Sequence, residues 1–306
     1  MTVRGWTLAV GLAALLAGVV GLQRARERLD PLPLPDGGGS VLYVRSPEVM
    51  KRAVLSYDAV AADLYWIRAI QHYGATKLST DPRKAYDQLY PLLDISTSLD
   101  PDFTVAYRFG AIFLSEPFPN GPGRADQAIA LLQKGLTARP EAWAFAQDIG
   151  FVHYWWRHDY AQAAAWFLRA SAIPGAPVWM KPLAAVTLAQ GGNRASSRQL
   201  WQQVNDSADV DWLRTQARLR LRQLDALDQI DALRTIAAAY ERRTGLQLRS
   251  WDDLVRSGYL RGVPRDPAGY LYWLDAVRGR ITLAPDSSLN PLPTEPVSLS
   301  SMGPTL

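Results

Sequence analysis

The strongest constraint on what this chain can become is a short pattern that returns about every 34 residues, since a repeat of that length is one supersecondary unit that must stack on its neighbours. Ala163, Phe167 and Ala170 are followed 34 positions later by Ser197, Trp201 and Val204, with small, large and small-to-medium side chains in the same order. Ala128, Leu132 and Gly135 lie 35 residues before the first of these sets, and Leu89, Leu93 and Ser96 a further 39. The longer step coincides with the Pro/Gly-rich insertion at residues 116–123, and Leu89 departs from the small-residue rule. Positions three and four apart share one helix face, so two small residues flanking a large one let a second helix approach closely. The candidate partners precede each set, at residues 59–73, 104–114, 142–156 and 182–190. Four helix hairpins follow.

Further residues define a resemblance. Phe109-Gly110 and Ile149-Gly150 sit in the first helices, Ala128 and Ala163 in the second, and Pro101 and Pro140 at helix ends. On these the chain resembles the tetratricopeptide repeat family over about residues 57–204, although the first repeat lacks the Leu-Gly pair and Pro182 falls near the start of the fourth first helix. The resemblance implies a mainly α protein, a solenoid of antiparallel helix hairpins. Its packing positions would be Gly110, Ala128, Leu132, Gly150, Ala163, Phe167, Ala170 and Trp201. It also implies a non-catalytic scaffold that binds a protein or peptide partner of a bacterial envelope, pilus or secretion assembly. First helices line the concave face of such arrays, and polar and aromatic residues alternate there with apolar ones. The predicted contacts are Tyr65, Arg68, Tyr107, Arg108, Gln147, His153 and Lys181.

Ahead of the repeats, residues 5–23 form a run of 19 uncharged residues, about 28 Å as a helix and close to the thickness of a bilayer core. An uncleaved single-span anchor is expected, because no small-x-small cleavage site precedes Arg24. Arg4 lies on one side of it and Arg24, Arg26 and Arg28 on the other, which by the positive-inside rule favours a cytoplasmic body. A long body can be exported regardless of so small a bias, and an amino terminus held inside would place it in the periplasm of a bacterial inner-membrane protein, the alternative being a cytoplasmic body. Residues 30–40 alternate proline and end in glycine, an extended spacer. The chain thus divides into an anchor at 1–29, a linker and lead-in at 30–56, repeats at 57–208, capping helices at 209–243, a small α+β module at 244–284 and a flexible tail at 285–306.

Two local patterns support a rival reading as a pilin-like structural subunit. Arg4-Gly5-Trp6-Thr7-Leu8 is similar to the processing site of type IV prepilins, although Val10 stands where that family carries Glu. From Thr244 to Leu283 the chain is similar to the C-terminal part of type II secretion pseudopilins, through a run with Pro264, Asp266, Pro267, Gly269 and Tyr272. That run is followed by two short strands around a glycine turn at residues 278–280.

Chemistry has little foothold in the sequence. With no cysteine, thiol chemistry is excluded. His72, His153 and His158 have no i, i+3 or i, i+4 spacing for shared metal ligation, and no nucleophile elbow, Walker loop or dinucleotide fingerprint occurs. The insertion lacks lysine, and its prolines remove donors that a phosphate cradle needs. A net charge of +4 on 306 residues is too small and dispersed to point to nucleic acid. No cofactor, metal or catalytic step is expected, and an enzyme hidden in residues 244–283 is the remote alternative.

Overall fold

The computed structural model describes residues 14–22, 24–25 and 46–295 and is mainly helical, with one small antiparallel sheet among those residues. The chain divides into two compact units, residues 1–100 with 119–122, and residues 101–118 with 123–306.

In the first unit, α1 (residues 14–22) is exposed and helical. The rest of the predicted anchor, apart from residues 24–25, lies outside the described residues, as do the prepilin-like site and the linker at 30–45. Among the described residues no helix is long and apolar enough to cross a membrane. Helix α2 (Pro47–Ala53) starts at Ser46, whose Oγ accepts the Val49 N–H at 3.4 Å. Helix α3 (Asp58–Leu78) packs against α4 (Leu89–Leu99), burying Ala62, Tyr65 and Ala69. The small residue at 96 permits this contact: Ser96 Oγ donates to the Ala62 carbonyl of the facing helix at 2.9 Å. Part of the Pro/Gly insertion belongs to this unit, because the Tyr86 hydroxyl donates to the Pro119 carbonyl at 3.0 Å.

The second unit begins with α5 (Thr104–Ser115), α6 (Ala125–Ala138), α7 (Trp143–Trp155), α8 (Tyr160–Ser171), α9 (Met180–Gln190) and α10 (Arg194–Ser207), each packed on the next. The turns are tight for identifiable reasons. Asp159 caps α8 by accepting the Gln162 N–H at 3.0 Å, and Gly192 supplies the left-handed φ of 80° between α9 and α10. Glycines sit where rings press on the backbone. A Cβ at Gly150 would lie 2.4 Å from the Phe167 ring, and one at Gly135 3.0 Å from Tyr107 and 3.1 Å from Phe145. Gly110, Ala128, Leu132, Ala163, Phe167, Ala170 and Trp201 are all buried. Ser197 repeats the behaviour of Ser96, donating to the Ala185 carbonyl of its own hairpin at 2.7 Å.

Residues 209–243, expected as capping helices, form one helix, α11 (Asp211–Thr244), which packs on α10 and ends at Gly245 with φ 67°. Helix α12 (Trp251–Arg256) opens with a capping box between Ser250 and Asp253. Strands β1 (Trp273–Asp275) and β2 (Arg280–Thr282) pair Leu274 with Ile281, and Asp275 Oδ1 accepts the Val277 and Arg278 N–H groups of the turn, each at 3.1 Å. Their core is shared with α11: Ala226, Ile230 and Leu233 meet Tyr272, Ile281 and Leu283.

The flexible tail expected from residue 285 onward is corrected for residues 285–295, which are docked. Leu289 is buried in the same core, and Gln223 Nε2 on α11 donates to the Leu289 and Pro291 carbonyls at 2.8 and 2.9 Å. Arg194 at the start of α10 grips Glu295 through two bonds of 2.6 Å and reaches Asp228 at 2.9 Å and Asp231 at 2.7 Å. A proline-rich segment without periodicity of its own is thus held by partners supplied from α10 and α11. Residues 296–306 lie outside the described residues.

Candidate functional site

One face that combines shape, charge and exposed apolar surface within one unit is built by α5 and α7, two first helices of successive hairpins. On α5, Val105, Phe109 and Ile112 follow the i, i+4, i+7 spacing of one helix face and are about half exposed. At the carboxyl end of α7, Trp155 is 59% exposed and Trp156 39%. Between the helices lies a cleft of about 260 Å³ lined by Ala111, Ile112, Phe151, Val152, Trp155 and Trp156, with Arg108 and Asp148 at its polar edge.

Arg108 and Asp148 occupy the same position in their repeats, two residues before Gly110 and Gly150. That equivalence puts them side by side across neighbouring helices. The guanidinium donates to both carboxylate oxygens, through Nε to Oδ2 at 2.5 Å and through Nη2 to Oδ1 at 3.0 Å. Burial pushes the Asp148 carboxyl above the ordinary carboxylate range, and the hydrogen bonds and charge of Arg108 oppose that rise. Arg108 itself moves up, chiefly through its bond to Asp148. The two shifts differ in cause: desolvation dominates for the enclosed carboxylate and hydrogen bonding for the more exposed guanidinium. The polar edge is consequently neutral as a pair, in front of an apolar cleft.

Trp155 is oriented from behind. Its ring meets Tyr154 edge-on at 4.9 Å between centroids, and the Tyr154 hydroxyl donates to Gln190 Oε1 of α9 at 2.8 Å. Phe151 is held edge-on to Phe167 of α8 at 5.1 Å. Anchoring of this kind presents aromatic surface at small entropic cost.

The predicted contact residues divide. Arg108 lies on this face, whereas Tyr107 on the same helix is fully buried against Phe145. Gln147 and His153 are also buried, and Tyr65 is buried in the first unit, so these four do not line an exposed groove. The reason is helical phase: aromatic and polar residues alternating along a first helix fill the contacts with its second helix as readily as they face solvent. Arg68 is half-buried over the Tyr65 ring, 5.7 Å from its centroid. Lys181 lines a separate cleft of about 270 Å³ with Val178, Val204 and Val210. Sequence reasoning missed Asp148, Ile112 and Trp155; the repeat equivalence of positions 108 and 148 was the available signal.

His72 and His153 are both buried, and Nε2 of the first and Nδ1 of the second have no hydrogen-bond partner. Burial lowers the pKa of each, opposed by Asp87 and Asp159 respectively. Among the described residues no group of His, Asp and Glu is arranged to hold a metal ion. The C-terminal module has a larger cleft, about 690 Å³, where Arg249, Arg265, Asp252 and Asp286 accompany Trp251 and Tyr270. Asp266 beneath it is committed to structure: its carboxylate accepts Ala268 N–H at 2.8 Å, Tyr270 N–H at 3.0 Å and the Ser287 hydroxyl at 2.5 Å. Comparison with known proteins returns no matching family model, no matching curated protein and no matching solved structure.

Proposed function

We propose that the protein is a non-catalytic scaffold, a membrane-anchored array of tetratricopeptide-like hairpins that holds a partner protein of a bacterial envelope, pilus or secretion assembly. The observation that carries this reading is the α5–α7 face, where Phe109, Ile112 and Trp155 are exposed around a cleft whose only charges, Arg108 and Asp148, neutralise one another. Such a surface matches an apolar segment of a protein and offers no nucleophile or free base for turnover. The anchoring part rests on the apolar run at residues 5–23, and a periplasmic body is the orientation adopted.

A photo-crosslinking residue at Ile112 of the full chain, in intact bacterial cells, tests the face. A discrete protein adduct is expected, lost when Trp155→Ala is added while helix content measured by circular dichroism stays unchanged. An adduct indifferent to Trp155→Ala, or none at all, overturns the assignment.

A further inference from the structure

Helix α3 has two apolar faces. One is buried against α4; the other is exposed among the described residues. Tyr57, Val60, Leu64, Ile67 and Leu78 are 71%, 56%, 55%, 47% and 84% exposed. With Gln71 and Gly74 they occupy positions 57, 60, 64, 67, 71, 74 and 78, spacings that alternate three and four without a break. A globular helix needs only one apolar stripe, and an unbroken 3-4 alternation is the pattern that keeps a seam facing a second helix. A Cβ on Gly74 would meet nothing within 4 Å, so the seam is open at that position too.

We propose that this seam is filled by the same helix of a second copy of the chain, running parallel to it. Taking Tyr57 as position a, the flanking g and e positions are Asp63 and Arg68. In a parallel pair, a g residue lies beside the e residue five positions later on the other helix, so Asp63 of each copy meets Arg68 of its mate. Two-fold symmetry makes the contact twice. In an antiparallel pair g faces g and e faces e, and this complement does not form. Of the other flanking positions, Ala61, Ile70 and Ala75 carry no charge, and Lys77, a g residue in the last turn, would lie beside position 82 of the mate, past the helix end at Leu78, where no like charge opposes the pairing. Gln71, the one polar residue at an a position within the helix, would pair with itself and fix the register. The interaction uses the first unit alone and is independent of the α5–α7 docking face.

The chain has no cysteine, so single cysteines report position cleanly. Leu64→Cys and Ile67→Cys, each in the full chain in native membranes and treated with a short bis-maleimide, are expected to give covalent dimers. Ala59→Cys, exposed on the same helix but off the seam, is expected to give at least tenfold less. Asp63→Arg should abolish the Leu64→Cys dimer, and the exchange Asp63→Arg with Arg68→Asp should restore it. No dimer from either seam position overturns the proposal. So does a dimer that ignores the charge reversal, which would mark unspecific apolar adhesion or lipid contact, and so does linkage only to a different protein.

Discussion

At the scale of single residues, glycine is the most telling side chain, because its effect depends on what stands opposite. Gly150→Ala drives a Cβ into the Phe167 ring and is expected to cost about 1–3 kcal/mol. Gly74→Ala places the same methyl group in open space within a helix and is expected to stabilise by about 0.5–1 kcal/mol. Urea titration of both variants, at protein concentrations low enough to keep the chains separate, checks the opposite signs; loss of stability in both would place Gly74 in a contact within its own chain. The buried histidines make a second prediction. Their folded pKa values lie below the unfolded value near 6.5, so their stabilising contribution is fully present above that pH. It is lost as pH falls through the folded pKa, because the unfolded chain takes up protons first. His72→Gln with His153→Gln should therefore flatten the decline in the urea midpoint between about pH 7 and pH 5. An unchanged slope would assign the decline to other groups. Gly150 was legible in the sequence as a packing position because glycine recurs there with the repeat. Tyr107 and Gln147 were not, since their type fits a core as well as a groove and only helical phase separates the two.

At the scale of elements, the helices between residues 58 and 244 were legible because small and large side chains recur at helical spacing and Pro101 and Pro140 mark helix ends; the caps at Asp159 and Asn193 emerged only with the structure. The segment at 285–295 was not legible. Its own composition reads as loose, and its order comes from Gln223, Arg194 and the core beneath Leu289. Leu289→Ala should cost about 2–5 kcal/mol. Hydrogen exchange would then rise in α11 and the β1–β2 hairpin and stay unchanged in α5 to α8. A uniform rise across the unit would show that the segment supports all the hairpins. The bare stripe on α3 was likewise hidden, because an apolar residue on a helix announces burial without saying against what.

At the scale of the molecule, a repeat architecture could be proposed from the sequence because periodicity survives changes in individual residues. The docking face could not be placed, since it depends on which side of α5 and α7 is left uncovered. The anchored reading predicts that the full chain stays in the membrane fraction through alkaline carbonate extraction, and that removing residues 1–29 releases a folded body. Release of the intact chain by carbonate would reject the span.

The grip of Arg194 on Glu295 joins positions 101 residues apart. During synthesis α9 and α10 emerge well before residue 295 has been made, so the hairpin they form must wait, latch unfastened, until that residue follows them out. A ribosome stalled short of residue 285 would hold hairpins already wound but a carboxyl-terminal module still ajar. Quality-control proteases acting on such truncated products would find their point of entry there.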